Sequence, residues 1–556
     1  MPSANQVKFD SSLGATGSAP APPTTHRSRN RPTTLQRDEK LQIKLEHLQF
    51  VFLLMVVIVV RASNLNYNTL FVDEAIYATV GQEALDGQFV QNARSWMFGS
   101  YLYPVAAAVA DRVGGAIGLR LFSVALSTVA TIFVFLTAQR LFNRQTALWT
   151  MFIFGLSGAS ISLGQQAVYD AMGLPFLAMA VYFCVQTVYH LDDPTRSKIY
   201  AVAASVTMCV SILAKYIGLA YVPMLVLLVG VLYLARGGNL RSILHETPWQ
   251  YFVWPLVFIV GGYMVMFYSD LRDIFSASRS TQFASRANIL SDIWQDAGPI
   301  FVVAFFGLLL TYQSPIFKIE VRSRRTLILF LLLVPVVFAG ILTLPIYHWV
   351  MSNIRALPKH LVYALVFAAP LAGYVAYWLI ERLRNVGGRW ETHFRLAGVF
   401  ATVVLLTLFM TQSMDRNWGF QHGWPPTNEV VDFLREAGIN EDSRILASGS
   451  QIYEYYFNFG MKDRQVWSNT WSMEYKALFG LDAMQTAIRD CALDFIVLDG
   501  YYTPDVNAIL QPVIATSEYT LAFDTVDQIS SGDIIHTQVF VPSDAEICTQ
   551  TEEEAA

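Results

Sequence analysis

Charged residues are scarce in this sequence. Only 15% of its 556 residues are Asp, Glu, Lys or Arg, whereas soluble globular domains carry about 25%. Hydrophobic residues make up 54% of the chain, and the mean hydropathy is +0.39. This balance excludes an ordinary soluble domain and a fully disordered chain, and it predicts a polytopic α-helical membrane protein.

Cysteine is also rare, with four residues in the whole chain. Cys184 and Cys209 lie in apolar segments, where we expect small buried thiols. Cys491 and Cys548 lie near the C-terminus and could pair in an oxidising compartment, but the expectation is four unrelated thiols. No metal-ligand spacing is present, so the sequence predicts no metal site.

Acidic residues are few in the first three quarters of the chain. Residues 1–412 contain 31 Lys and Arg against 20 Asp and Glu, whereas residues 413–556 contain 7 against 23. This change of charge predicts a basic membrane part and an acidic outer part. The expected domains are a disordered cytoplasmic arm (1–45), a transmembrane domain (46–413) with a first outer loop (63–117), an extracytoplasmic α/β domain (414–546) and an acidic tail (547–556).

Apolar stretches long enough to cross a bilayer recur through the membrane part. A spanning helix needs about 20 predominantly apolar residues, and the sequence predicts about eleven such helices. They lie near 47–62, 118–139, 146–163, 171–190, 200–214, 217–235, 250–268, 298–312, 326–344, 361–380 and 396–413.

Basic residues cluster in the N-terminal arm and in every second loop, which predicts a cytoplasmic N-terminus. The first outer loop and the acidic C-terminal region then face outside or a lumen. The chain has no Asn-x-Ser/Thr glycosylation acceptor, and this favours a bacterial or archaeal plasma membrane. The basic loops are marked by Arg140 and Arg144; Arg196 and Lys198; Arg236 and Arg241; Lys318, Arg322, Arg324 and Arg325; and Arg382, Arg384, Arg389 and Arg395.

The acidic region alternates strand-like and helix-like segments. The segment "TNEVVDFLREAG" has a capping residue at its start and a glycine at its end, which predicts a helix. The segments "RILASGS", "RQVWSN", "DFIVLDG", "YTLAFDT" and "HTQVFVP" are typical of strands. Together they predict a small α/β domain. The "SGS" at 448–450 lacks a full glycine-rich fingerprint and is expected to be a turn.

Several ionisable residues lie at the ends of the predicted spans on the outer face. Such groups are costly near lipid, so they are usually paired or functional. Two carboxylates and several cations at one face suit transfer from a lipid-linked phosphosugar: the cations stabilise the leaving phosphate, and a carboxylate removes the acceptor's proton. The candidates are Asp73, Glu74 and Asp170 as acids, and Lys215, Arg355, Lys359 and His360 as cations.

No cofactor is required for this chemistry. Asp73 and Glu74 are also the type of oxygen ligand that a hard divalent cation prefers, and that alternative stays open. The expected partners are a polyprenyl-phosphate sugar donor, membrane lipids and an acceptor protein, lipid or glycan, with no nucleic acid.

The segment "FVDEAIYATVGQEALDGQ", followed by "YLYPVAAAVADRVGGAIGLRLF", resembles the first luminal loop and second span of GT-C glycosyltransferases. The similarity is greatest to the family 39 group, which includes protein O-mannosyltransferases and the aminoarabinose transferases of lipid A. It extends through "SLGQQAVYDAMGLPFLAMA" and "LAKYIGLAYVPMLVLL" to "IRALPKHLVYALVFAAPLAGY". The resemblance implies a GT-C fold and an inverting transferase that uses a polyprenyl-phosphate sugar.

The resemblance also implies roles for individual residues. Asp73 matches the essential acid, which acts as a base or orients the acceptor, and Glu74 matches its partner. Asp170 matches the second acid, and Lys215 and Lys359 match cations near the lipid phosphate. Arg355 and His360 are added from their placement alone. The sequence departs from the aminoarabinose enzymes at "FGSYLYP" and has no room for a lumenal β-trefoil, so the acceptor stays open.

Structural alternatives remain for each candidate. Asp73 and Glu74 favour a helix N-terminus, and Asp170 could cap a helix. Lys215 could extend from a span end towards the lipid headgroups, and the basic cluster at 355–360 could bind headgroups nonspecifically. At the level of the whole protein, the alternatives are a lipid or sugar transporter or flippase, and a receptor with an outer ligand-binding domain.

Overall fold

The structure is a computed structural model, and it describes most of the chain. The acidic tail, Arg355 and Cys548 lie outside the described residues, as does the predicted N-terminal arm before Thr34. The described residues are 34–87, 100, 102–277, 284–314, 316, 323–354, 356–385, 391–457 and 467–543.

The described part of the chain is mostly helical. Several helices begin at the capping residues expected from their sequence: Asn143 Oδ1 accepts the Thr146 N–H at 2.8 Å, and Ser323 Oγ accepts the Thr326 N–H at 3.0 Å. The helices are α1 (Thr34–Ala62), α2 (Val72–Leu85), α3 (Leu102–Leu141), α4 (Arg144–Leu156), α5 (Gly158–Gln165), α6 (Tyr169–Tyr189), α7 (Pro194–Ala214), α8 (Val222–Ala235), α9 (Trp254–Met266), α10 (Tyr268–Ala277), α11 (Arg286–Asp296), α12 (Gly298–Leu310), α13 (Arg324–Met351), α14 (Leu357–Arg384), α15 (Glu391–Gln421), α16 (Asn428–Glu436), α17 (Ser450–Phe457), α18 (Leu481–Arg489) and α19 (Pro504–Ala515).

Eight of the described helices are long and apolar enough to cross a membrane, and up to ten segments qualify if each bent pair is one span. The bent pairs are α4 with α5, at 61°, and α11 with α12, at 71°. A shorter apolar helix, His47–Ala62, lies where the first span is predicted. The chain is therefore an integral membrane protein, and these helices coincide with the predicted spans.

The predicted first outer loop contains helical structure. Helix α2 occupies its beginning, and α3 starts inside the loop before it enters the bundle. The path of α3 is interrupted at Gly115, whose φ of 57° and ψ of −148° are accessible to glycine but not to most residues. The predicted start of the second span, at residue 118, lies just after this break.

The C-terminal region forms the predicted α/β domain. All five predicted strands are present, in a single mixed sheet of order β2-β1-β5-β7-β6, beside a two-stranded β3-β4 hairpin. Strands β1, β2 and β5 are parallel, and β7 runs antiparallel to β5 and β6. The strands are β1 (Ile445–Ala447), β2 (Trp467–Asn469), β3 (Glu474–Tyr475), β4 (Leu478–Phe479), β5 (Phe495–Asp499), β6 (Tyr519–Gln528) and β7 (Ile534–Pro542).

Of the three cysteines that the structure describes, two are free thiols and one is disulfide-bonded. Cys184 and Cys209 are free and buried, as expected. Cys491 is disulfide-bonded, so the expectation of four unrelated thiols is wrong. Cys548, which the sequence offers as its partner, is outside the described residues.

Candidate active site

Asp73 forms an ion pair with Lys359. Asp73 is in the first turn of α2, and Lys359 is in the first turn of α14. Lys359 Nζ lies 2.5 Å from Asp73 Oδ2, and the two side chains are 13% and 23% exposed, respectively. The Lys359 ammonium also lies 5.7 Å from the centre of the Phe71 ring. An incoming molecule can therefore reach this carboxylate, and a basic group is already beside it.

Glu74 has a different environment, although it is the next residue. Successive helical side chains point about 100° apart, and the Glu74 side chain is fully buried. Its Oε1 accepts Arg120 Nε–H at 3.1 Å and Ala167 N–H at 2.8 Å, while Oε2 accepts Arg120 Nη2–H at 2.8 Å and Phe71 N–H at 2.9 Å. The carboxylate thus joins α2 and α3 to the segment before α6.

Arg120 completes this buried connection. Besides its two bonds to Glu74, Arg120 donates Nη1–H to the carbonyls of Leu65, at 2.7 Å, and Asn68, at 2.9 Å, and Nη2–H to that of Thr69, at 3.1 Å. All five guanidinium N–H groups are therefore used. Arg120 fixes the segment that leads into α2, and so fixes the position of Asp73. The sequence analysis did not select Arg120, although its charge within the second predicted span was a signal.

Asp170 and Lys215 form a second ion pair, which is buried. Lys215 Nζ donates to Asp170 Oδ1, and the side chains are 2% and 0% exposed, respectively. Lys215 lies in extended backbone between α7 and the 3-10 turn Tyr216–Tyr221, a break that turns its side chain towards α6. Close packing is possible because of Gly173, where an added Cβ would lie 2.5 Å from Tyr363 Oη and 3.3 Å from Lys215 Cβ.

His360 extends this second pair through a histidine relay. His348 Nδ1 is 2.6 Å from the Asn353 carbonyl, so it carries the proton and donates it. His348 Nε2 is then the acceptor for His360 Nδ1–H, at 2.7 Å. His360 Nε2 is left with a lone pair 4.0 Å from Asp170 Oδ1. In the described part of the chain, neither His360 Nε2 nor Asp170 Oδ2 has a hydrogen-bond partner. His348 is a second residue that the sequence analysis missed.

Tyrosines connect the two ion pairs. The rings of Tyr77 and Tyr169 lie 4.7 Å apart, and their side chains are hydrogen-bonded. Lys215 Nζ lies 4.3 Å from the centre of the Tyr169 ring. Lys215 is also within electrostatic range of both Lys359 and Asp73. The two acid–base pairs therefore form one polar cluster, with an open pair and a buried pair.

The α/β domain contacts the same segment. The Leu70 N–H donates to Tyr456 Oη at 3.1 Å, and Trp424 Nε1–H donates to the Thr69 carbonyl at 3.2 Å. The Phe71 ring lies 5.1 Å from that of Trp424 and 6.4 Å from that of Tyr502. The C-terminal domain therefore lies against the backbone that carries Asp73.

Six of the seven predicted site residues come together in this cluster. The remaining one, Arg355, is outside the described residues. The roles assigned to all seven stay predictions. The six are Asp73, Glu74, Asp170, Lys215, Lys359 and His360.

The acid pair does not suit a shared metal ion. Glu74 is enclosed by four donors, and Asp73 faces Lys359, so their carboxylates do not converge on one point. In the part of the chain that the structure describes, no group of three or more His, Cys, Asp and Glu residues is placed to hold a metal.

One sequence family matches part of the chain. Residues 95–268 match the sequence model of the family described as dolichyl-phosphate-mannose-protein mannosyltransferase. No curated protein is significantly similar to the chain in sequence.

Two solved structures have a similar fold over most of the chain. ArnT from Cupriavidus metallidurans bound to undecaprenyl phosphate is 14% identical, with a TM-score of 0.55 over 88% of this chain and 97% of that one. The apo oligosaccharyltransferase of Archaeoglobus fulgidus is 12% identical, with a TM-score of 0.54 over 88% of this chain and 74% of that one. These similarities show that the chain has the GT-C fold, which is the fold of these membrane glycosyltransferases.

Proposed function

We propose that the chain is a membrane glycosyltransferase that moves a sugar from a polyprenyl-phosphate donor to an acceptor hydroxyl. The observation that carries this proposal is the open Asp73–Lys359 pair beside the buried Asp170–Lys215 pair. Two cations and two carboxylates at one site match the charges that such a transfer creates. The similar ArnT structure holds undecaprenyl phosphate, which is the product of a transfer of this kind.

Lys359 and Lys215 hold the donor phosphate. Lys359 exchanges its contact with Asp73 for a phosphate oxygen, which leaves the Asp73 carboxylate free to accept a proton. Asp170 keeps Lys215 charged and oriented inside the bundle, and His360 packs against that pair. The phosphate charge is then met by fixed cations in a site with little water, where each contact is strong.

The reaction itself is a single displacement at the anomeric carbon. The acceptor oxygen forms a bond to that carbon while the bond from the carbon to the phosphate oxygen breaks. The acceptor proton passes to Asp73, and polyprenyl phosphate leaves with the electron pair of the broken bond. Attack opposite the leaving group inverts the anomeric configuration. Asp73 acts as the general base.

Glu74 and Arg120 act as positioning residues in this proposal. Glu74 already accepts four hydrogen bonds and is fully buried, so it has no capacity to take a proton from the acceptor. Its contribution is to hold α2 beside α6. This placement keeps Asp73 within reach of the carbon that Lys215 and Lys359 present, and misplacement by about 1 Å can cost about 100-fold in rate.

The reaction proposed here needs no cofactor, because the phosphate charge is met by lysine side chains. Addition of a chelator is therefore expected to leave turnover unchanged. If a chelator lowered turnover and Mg²⁺ or Mn²⁺ restored it, the reaction would need a metal ion, which contradicts this part of the proposal.

The site faces the outside of a bacterial or archaeal plasma membrane in this proposal. The basic residues of the alternate loops support a cytoplasmic N-terminus. The disulfide at Cys491 supports an oxidising environment for the α/β domain. Cysteine labelling of intact cells at an engineered Ser517→Cys position tests this orientation, since a membrane-impermeant reagent reaches only an outside thiol.

Purified protein in liposomes with a panel of polyprenyl-phosphate sugars tests the function. A glycosyltransferase releases polyprenyl phosphate from one donor, in an amount equal to the sugar transferred. A flippase moves a labelled donor between leaflets and leaves its sugar–phosphate bond intact. A receptor binds its ligand and does neither. Either of the last two results would contradict the proposal.

A further inference from the structure

The carboxyl ends of the parallel strands form a polar edge on the α/β domain. Ligands of such sheets bind at this edge, where the loops after neighbouring strands converge. Thr503 Oγ1 lies 2.8 Å from Thr470 Oγ1 and 3.1 Å from Ser448 Oγ, which follow β2 and β1. Asn507 Nδ2–H donates to the carbonyl of Asp499, the last residue of β5, at 2.6 Å. The loops are therefore held in one fixed arrangement.

This edge of the sheet faces the active site. The Tyr502 ring packs 6.4 Å from that of Phe71, two residues before Asp73. Tyr501 lies within electrostatic range of Asp73 itself: burial, Asp499 and Asp73 together raise the pKa of the Tyr501 phenol to about 12. Tyr501 is therefore a protonated donor near the proposed base, and it comes from the other domain.

Three aromatic side chains cover this edge. The Tyr502 ring contacts Tyr501 at 5.0 Å and Trp471 at 6.3 Å, both edge to face. Trp471 is 40% exposed, so part of this ring is open to a ligand. We call Trp471, Tyr501 and Tyr502 the aromatic platform. Its rings are fixed by one another and by Phe71, so a ligand that packs on them meets a preformed surface.

A buried carboxyl with one unpartnered oxygen lies behind the platform. Asp499 is 1% exposed. Its Oδ1 accepts the Tyr501 N–H at 2.5 Å, whereas its Oδ2 has no hydrogen-bond partner among the described residues. A buried polar atom without a partner is costly. A water held between this carboxyl and a bound ligand would supply the missing hydrogen bond.

The charge of the domain limits the class of ligand. Residues 413–556 carry 23 acidic and 7 basic residues, and Asp73 lies close by. Such a field repels anions. A sugar ring suits the surface best, because its C–H face packs on an aromatic ring while its hydroxyls bond to carboxylates and phenols.

We propose that the aromatic platform binds the acceptor and that this acceptor is a neutral carbohydrate. The platform holds the sugar so that one hydroxyl lies at Asp73, with Tyr501 as a positioning residue. The role of the sugar as acceptor rests on the proposed function. The binding site itself is inferred from the contacts of the platform.

Binding of neutral oligosaccharides of mannose, galactose and N-acetylglucosamine to the full-length protein tests the site by ligand-observed NMR. Wild type is expected to bind one series. Trp471→Ala is expected to weaken that binding about tenfold or more. Tyr501→Phe is expected to weaken it by a smaller factor. Phe479→Ala is the matched control, since Phe479 is a 69% exposed ring of the same domain outside the platform.

The enzymatic arm uses the same variants. Trp471→Ala should raise KM for the oligosaccharide, whereas Phe479→Ala should leave this KM unchanged. Absence of binding to every neutral oligosaccharide, or equal losses in Phe479→Ala, would overturn the inference. Platform-dependent binding of a threonine-rich peptide in place of sugars would overturn the carbohydrate class. Sugar binding without turnover of any donor would leave the site standing and contradict the proposed function.

Discussion

Lys359 Nζ lies 2.5 Å from Asp73 Oδ2, although 286 residues separate the two side chains in the sequence. This contact joins the segment after the first predicted span to the start of α14. Because both side chains retain some exposure, a phosphate can displace the carboxylate from the ammonium without unfolding the site. The proposed chemistry depends on this exchange.

Glu74→Gln is expected to act mainly on stability. The substitution leaves Arg120 with a buried charge and no anion, and removing one partner of a buried pair costs about 3–5 kcal/mol. Thermal unfolding in detergent measures the effect, and turnover falls with it because α2 is displaced. Asp86→Asn is the control, since its pair with Arg112 is exposed and worth below about 1 kcal/mol. Equal melting temperatures for Glu74→Gln and wild type would contradict the positioning role.

Lys215→Gln is expected to weaken donor binding about tenfold or more, because a charge-assisted contact to phosphate is lost. It also leaves Asp170 buried without its cation. The double variant Lys215→Gln with Asp170→Asn removes that uncompensated charge, so it should recover stability without recovering donor binding. Recovery of both properties in the double variant would show that Lys215 has only a structural role.

His348→Gln tests the histidine relay. The variant removes the nitrogen that accepts His360 Nδ1–H, so the tautomer of His360 is no longer fixed by this hydrogen bond. Loss of a residue that orients another functional group typically costs about 10–100-fold. We expect kcat to fall in this range and the pH–rate profile to change shape. A lower melting temperature with an unchanged pH profile would restrict His348 to packing.

Asp499 makes the stability of the α/β domain depend on pH. Burial raises the pKa of this carboxyl to about 7, whereas in the unfolded chain it is about 3.9. The folded state therefore binds more protons between these values, and stability falls as pH rises from about 4 to about 7. Hydrogen exchange of the β5 amides measures this change. Asp499→Asn should remove most of it, and Asp505→Asn, at an exposed site, should not. An identical pH dependence in Asp499→Asn would contradict the assignment.

Local sequence patterns were sufficient for most of the fold, although they did not predict the β3-β4 hairpin. Apolar runs of about 20 residues and short alternating strands are local signals, so the spans and all five sheet strands were predictable. The pairing of the ionisable residues was not predictable from the sequence. Asp73 and Glu74 are adjacent and chemically alike, and only tertiary contacts show that Glu74 is enclosed by Arg120 while Asp73 stays open.

The missed residues have the same explanation. Arg120 lies in a predicted span, where its charge indicated a function or a partner, and His348 lies four residues after the end of another predicted span. Their partners are 46 and 12 residues away, respectively, and no local pattern identifies them. The position of the α/β domain against Phe71 could not be predicted either, because it depends on the packing of two separate domains.

The central claim is that Asp73 is the base at a lipid-linked donor. The most direct test measures polyprenyl phosphate release and donor binding for wild type, Asp73→Asn and the control Asp86→Asn in liposomes. The account predicts that Asp73→Asn binds donor normally and loses about 10²–10⁴-fold in turnover, while Asp86→Asn behaves as wild type. Turnover by Asp73→Asn at the wild-type rate would contradict it.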